Sequence, residues 1–333
     1  MLPIVQSEMT ALLENLRLLE TLVTAPLGLH SDIKMLRQSL PVDGASDLDA
    51  NELRQRRTEI SKSIEDVSFM ALKTIENISS SLTLLDSFKL DSGSKLSEGW
   101  ISRAGKVLIR SKEKVTSKIR QLSVEKLKGL YVIIDPEVTG GRPIVEVAEA
   151  ALTGGASAIQ YRDKINDKNL ILQNSLDLQT LCSNHDALFI VNDYADIANL
   201  SNANGLHIGQ NDLSVESSRL ITTNDQIIGK SNNTIDEAIT SQSEAPDYLA
   251  IGPIYPTSTM GKDKKRPVGI ETIKEIKSRG IPVLVAIGGI NTNNAMTVTK
   301  AGADSICVAS SVTLSDNPET AARELVSSLQ TDK

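Results

Sequence analysis

Cysteine, histidine and aromatic residues are all scarce in this chain of 333 residues: two Cys, three His and 3 % Phe, Trp and Tyr. Cys182 and Cys307 each sit in an apolar context, which excludes a disulfide framework and predicts reduced core thiols. So few aromatics exclude a stacking surface for nucleic acid. No stretch reaches the ~20 apolar residues of a membrane span. The N-terminal MLPIVQSEMTALLENL has neither a basic leader nor an unbroken apolar core, so the expectation is a soluble, unprocessed, cytoplasmic protein without membrane partners. Net charge is −7 overall. Residues 1–122 hold 17 basic and 16 acidic side chains, leaving 18 basic and 26 acidic for the rest, so the C-terminal part is net acidic and must hold any anion by local donors.

What the chain does contain is an alternation. From residue 128 onward, short apolar runs recur at 131–135, 157–160, 187–191, 205–208, 226–229, 247–251, 282–287 and 305–309, separated by segments of helical period that often close on glycine. Strands this apolar, alternating with helices, imply a parallel sheet covered on both faces. Eight units in just over 200 residues favour a closed (β/α)8 TIM barrel over an open doubly wound sheet.

Residues 1–98 carry Leu, Glu, Arg and Ser at helical spacing and no β-type runs, which predicts a small all-α domain with breaks at 26–28 and 41–49. Residues 99–127 follow as a basic stretch with seven Lys/Arg against one Glu over 100–122, expected to be a solvated linker helix. The barrel itself is expected over 128–333.

Polar residues cluster where the strands of such a barrel end, the place where TIM-barrel active sites are built. Gln160, Arg162 and Lys164 alternate past the second strand and can face one space as an anion-binding wall, although Asp163 and Asp167 could instead neutralise the cations. Asp193 and Asp212 end the adjacent third and fourth strands; two carboxylates are hard ligands of the kind Mg²⁺ takes, although either alone could be a cap or turn residue. Asn192, Ser231, Thr257 to Thr259, Gly288, Gly289, Ser310 and Ser311 complete the set of strand-end residues.

In order along the chain, LYVIID (130–135), QYRDK (160–164), VNDYADIA (191–198), GLHIGQND (205–212), GKS (229–231), GPIYPTSTM (252–260), IGGI (287–290) and GADSICVASS (302–311) resemble the motifs of the thiamine phosphate synthase family. The resemblance covers roughly residues 128–330 and implies a transferase of thiamine biosynthesis that joins hydroxymethylpyrimidine pyrophosphate to a thiazole phosphate and releases pyrophosphate. It further implies that Gln160, Arg162, Lys164, Asn192 and Ser231 hold the pyrimidine substrate, with Arg162, Lys164 and Ser231 as the catalytic group, and that Asp193 and Asp212 bind Mg²⁺. Thr257, Ser258, Thr259, Gly289, Ala309 and Ser310 would hold the thiazole phosphate. Those two small molecules are the expected partners, nucleic acid is not, and self-association is left open.

His207, inside GLHIGQ, reads as a supporting residue rather than a catalyst. The chain departs from the family pattern at Met260, where lysine is usual; Lys262 or Lys264 would then have to supply the cation. Asp163 stands where Glu is usual. Residues 12–22 and 70–82 resemble the helical extension of long thiamine phosphate synthases, here without a glycine-rich phosphate loop, which suggests a structural or docking domain. Two other readings compete: a thiazole-tautomerase-like barrel, and a catalytically lapsed regulatory barrel, for which Met260 is the one residue that speaks.

Overall fold

The computed structural model describes residues 3–22, 27–39, 63–87, 99–257, 266–281 and 283–330. They form two compact units, Met1–Ile119 and Arg120–Lys333. In the first, helices α1 (Pro3–Leu22), α2 (His30–Ser39), α3 (Ile64–Ser87) and the first part of α4 (Trp100–Lys126) surround one apolar core. Leu12, Leu16 and Leu19 of α1 recur at spacings that bring them onto one face, and they pack along Ala71, Ile75, Ile78 and Leu82 of α3. The break expected at 26–28 ends in Gly28, whose φ of 62° few other residues adopt readily; the one at 41–49 lies outside the described residues.

The basic run is a helix, as its spacing implies, but it is not a solvated linker. Trp100, Ala104, Leu108, Val115 and Ile119 are buried in the core of the first unit, because their helical spacing gathers them onto one face of α4. Two of the seven cations, Arg110 and Lys114, pair with the fully buried Asp32 of α2.

The second unit is the expected barrel. Strands β1 (Gly129–Ile134), β2 (Ala158–Tyr161), β3 (Leu188–Asn192), β4 (Gly205–Ile208), β5 (Ile227–Asn232), β6 (Tyr248–Ile251), β7 (Leu284–Ile287) and β8 (Ser305–Val308) pair in sequence order, all parallel, and β8 closes on β1. Each of the eight apolar runs overlaps one strand. Side chains alternate across the wall with period two. Leu130, Val132, Ile159, Phe189, Leu206, Ile228, Leu249, Leu284 and Ile306 belong to the layer between strands and helices. Tyr131, Ile133, Ala158, Leu188, Ile190, Ile227, Tyr248, Val283, Val285 and Cys307 belong to the interior, which Val124 and Leu127, just before β1, join at its base. Arg120 of α4 donates to Asp247, which also accepts from Arg219 and from the backbone N–H of Ile228.

Candidate active site

Near the C-terminal ends of the strands the interior changes from apolar to polar on one side only. Continuing the inward alternation brings Gln160, Asn192, His207 and Ser231 to the interior at the ends of β2, β3, β4 and β5. With Arg162, Lys164, Asp193, Gly209 and Asp212 at the rim, they line a cavity of about 210 Å³. Its other wall is apolar: Ile133, Ala250, Val285, Ile287 and Cys307. The site therefore offers cations, amides and carboxylates to one part of a small ligand and hydrocarbon to another.

Each cation is held by a carboxylate from a neighbouring strand end rather than by those the sequence offered. Arg162 donates to Asp135, which is buried at the end of β1 and also accepts from the backbone N–H of Glu137. Lys164 donates to Asp193, and its ammonium lies 5.4 Å from the centre of the Tyr194 ring. Asp163, between them, is buried outside the cavity lining: its carboxylate accepts from Tyr161 Oη at 2.6 Å, from the backbone N–H groups of Ile165 and Asn166 at 3.0 Å, and from Asn166 Nδ2 at 2.7 Å. Burial pushes the Asp163 pKa up, but these donors outweigh it and hold the group below the ordinary carboxylate range. Asp167 accepts from the backbone N–H of Leu170 as the N-cap of the helix Lys168–Asn184. The β2 loop is thus tied down from within, with Arg162 and Lys164 on either side of the buried Asp163.

Asp193 carries the strain of the site. It has φ of 63°, a left-handed conformation uncommon outside glycine, fixed by its backbone N–H donating to the His207 carbonyl at 2.8 Å. Burial raises its pKa, and the nearby Asp212 carboxylate raises it further, while Lys164 opposes both. Asp212 itself accepts from the Gly209 backbone N–H at 2.8 Å. Among the described residues no group of three or more His, Cys, Asp or Glu is placed to hold a metal ion, so this pair is the densest carboxylate site in the cavity.

Beneath the polar wall runs a buried chain of hydrogen bonds. Gln160 Nε2 donates to Tyr131 Oη at 2.6 Å, Tyr131 Oη meets Tyr248 Oη at 3.2 Å, and Tyr248 Oη meets His207 Nδ1 at 3.0 Å. His207 Nε2 meets Ser231 Oγ at 2.8 Å. Burial lowers the His207 pKa to about 4, with Asp212 opposing the shift, so the ring is neutral near pH 7. The same burial pushes both tyrosines and Cys307 well above their ordinary values, so no thiolate nucleophile forms here. Space for the Tyr248 ring comes from Gly229, its partner on β5: a Cβ there would lie 2.0 Å from the ring.

Seven of the sequence-predicted residues therefore meet in one cavity: Gln160, Arg162, Lys164, Asn192, Asp193, Asp212 and Ser231. Thr257, Gly289, Ala309 and Ser310 lie at the same end of the barrel, after β6, β7 and β8, but do not line it. Gly288 and Gly289 have φ of 100° and 67°, and a Cβ on either would lie within 2.7 Å of the 253–256 segment, so these glycines let the loops after β6 and β7 pack together. Ser258, Thr259, Met260, Lys262 and Lys264 lie outside the described residues. Sequence reasoning missed Asp135, Tyr131 and Tyr248 and left His207 without a task. Strand parity was the available signal for the two tyrosines, but using it needs the register between strands.

The thiamine monophosphate synthase family profile matches residues 130–312. A thiamine-phosphate synthase of Methanospirillum hungatei is 40 % identical over 196 residues, 59 % of this chain and 95 % of that protein. One from Chlorobium limicola is 44 % identical over 189 residues, 56 % of this chain and 89 % of that protein. The solved structure of thiamine phosphate pyrophosphorylase from Pyrococcus furiosus superposes with a TM-score of 0.57 at 35 % identity, covering 62 % of this chain and 97 % of that one. The matched segment contains all eight barrel strands but for the first residue of β1, and every residue of the cavity, and by it this chain belongs to the thiamine monophosphate synthase family.

Proposed function

We propose that the cavity joins hydroxymethylpyrimidine pyrophosphate to a thiazole phosphate, giving thiamine phosphate and pyrophosphate. The observation that carries this reading is the division of the cavity into a wall of Gln160, Arg162, Lys164, Asn192 and Ser231 and a wall of Ala250, Val285 and Ile287. A flat pyrimidine needs apolar contact on its faces and hydrogen bonds at its edge, and its pyrophosphate needs cations.

Loss of pyrophosphate from the pyrimidine methylene leaves a cation that the aminopyrimidine ring stabilises. The chemistry therefore demands no enzyme nucleophile and no strong base, in keeping with a cavity whose histidine is neutral and whose thiol is protonated. The demand is to hold the departing negative charge. Arg162 uses one terminal nitrogen on Asp135 and keeps the rest of its fork for phosphate oxygens, while Lys164 adds a compact charge beside it. Ser231 and Asn192 contribute neutral polar contacts. Holding the thiazole nitrogen against the cation lets capture outrun water.

The carboxylate pair fits a hard divalent cation, because burial and the Asp212 carboxylate raise the cost of ionising Asp193 and a cation held there would relieve it. Asp193 and Asp212 would hold Mg²⁺, which supplies charge neutralisation to the leaving pyrophosphate. Thr257, Ser258, Thr259, Gly289, Ala309 and Ser310 would receive the thiazole phosphate, with Lys262 replacing the family lysine whose position Met260 occupies. Among the described residues no helix is long and apolar enough to cross a membrane. Incubation of the full chain with both substrates and Mg²⁺ tests the reading: thiamine phosphate and pyrophosphate should form in equal amounts, and the absence of either product overturns it.

A further inference from the structure

The buried chain from Gln160 to Ser231 is more than core polarity, because both of its ends line the cavity and every link between them is a group with a single mobile proton. Gln160 is 3 % exposed and His207 8 %, and Tyr131 and Tyr248 are each 1 % exposed, so water does not compete for the three bonds that join them. Four residues of this kind cannot choose their hydrogen-bond directions independently. Gln160 Nε2 is a donor only, so Tyr131 Oη accepts from it and turns its own proton toward Tyr248 Oη. Tyr248, having accepted, donates to His207 Nδ1. A neutral imidazole that accepts at Nδ1 carries its proton on Nε2, and that N–H donates to Ser231 Oγ. The hydroxyl proton of Ser231 is then left to point into the cavity.

We infer that Tyr131, Tyr248 and His207 form a one-directional relay that fixes His207 as its Nε2–H tautomer and presents Ser231 to the substrate as a hydrogen-bond donor. The three are positioning residues for the reaction proposed above, on which this inference rests for its catalytic consequence. Ring contacts hold the chain in place: His207 stacks on Tyr248 with centroids 5.6 Å apart and planes 27° apart, and Tyr131 meets Tyr248 edge-on at 6.5 Å, so neither Tyr248 nor His207 can swing away without breaking ring contacts. Gly229 leaves the Tyr248 ring the room that this geometry takes. A donor at Ser231 suits an acceptor-rich ligand such as a pyrophosphate oxygen, whereas the reversed chain would aim lone pairs at it.

Two measurements decide the matter. The chain has three histidines, and His30 and His185 are exposed, so nitrogen-15 NMR of the full-length protein without substrates resolves the His207 ring. The relay requires a neutral ring protonated at Nε2 near neutral pH, shifting to a mixture of tautomers in Tyr248→Phe; a ring protonated at Nδ1, or one unchanged by Tyr248→Phe, overturns it. Kinetically, Tyr248→Phe should lower kcat/KM about five- to tenfold, the loss of one hydrogen bond, and should cost almost nothing further in a Ser231→Ala background because it acts through that hydroxyl. If the two losses multiply, Tyr248 is structural and the relay is overturned. Tyr131→Phe, which cuts the chain one link earlier, gives the same pair of readouts should Tyr248→Phe fold poorly. The NMR measurement needs no catalysis, so its failure leaves the proposed reaction standing, while an inactive wild-type chain with the Nε2–H tautomer would overturn the reaction alone.

Discussion

Acid should destabilise the barrel through His207 by an amount that can be worked out. The ring is 8 % exposed, and burial takes its pKa from 6.5 to about 4 in the folded chain. Between those values the unfolded chain binds a proton that the folded chain does not, so stability is present above the unfolded pKa and is lost as pH falls toward the folded one. The whole interval corresponds to roughly 3 kcal/mol, and by about pH 5 around 2 kcal/mol of it should be gone. All five tyrosines lie between residues 131 and 255 and the single tryptophan is Trp100, so tyrosine near-ultraviolet circular dichroism follows the barrel while tryptophan fluorescence follows the helical unit. Urea unfolding read by the tyrosine signal, at about pH 7 and about pH 5, should show a loss larger by about 2 kcal/mol in the wild type than in His207→Gln, which keeps an amide in the chain but cannot take up charge. Other titrating groups act in both proteins and cancel in the difference. Equal pH dependence in the two would refute a neutral, desolvated His207.

Replacing Asp193 or Asp212 with Ala should abolish Mg²⁺-dependent turnover while leaving circular dichroism unchanged, and full activity in Asp193→Ala would remove the metal assignment. A chain beginning at Arg120 should fold and turn over as the full protein does, because Arg120 still reaches Asp247 and Val124 and Leu127 still fill the base of the barrel; one beginning at Val124 should be less stable by about 1 kcal/mol in urea titration, the scale of a partly buried charged hydrogen bond. Lys262→Ala should cost about 1.5–3 kcal/mol of transition-state stabilisation, Lys264→Ala less, and Met260→Lys should change little in steady-state rates. A silent Lys262→Ala with a faster Met260→Lys would show that no substitute cation is present.

The barrel was legible because each strand is built on a short apolar run and the segments between them carry helical spacing, and both patterns survive in one dimension. The helical unit was legible for the same reason, but the burial of its fourth helix was not: seven cations dominate 100–122, while the apolar face that packs Trp100, Leu108 and Val115 is thinly spread among them. In the site, Arg162 and Lys164 were recognisable as a pair, whereas Asp135, which holds Arg162, lies 27 residues away just past the end of another strand. Tyr131, Tyr248 and His207 resemble ordinary strand residues in sequence. Only the register of β1, β4, β5 and β6 brings them into one line beneath Ser231.

The central claim is that pyrophosphate departs against the cationic wall of this cavity. Its most direct test is single-turnover pyrophosphate release by the wild-type chain and by Lys164→Ala, with both substrates and saturating Mg²⁺. The wild type should release one pyrophosphate for each thiamine phosphate formed, and Lys164→Ala should release it on the order of a hundredfold more slowly, the loss of a charge-assisted contact to a leaving group. Release by Lys164→Ala at the wild-type rate, or none by the wild type, would contradict the account.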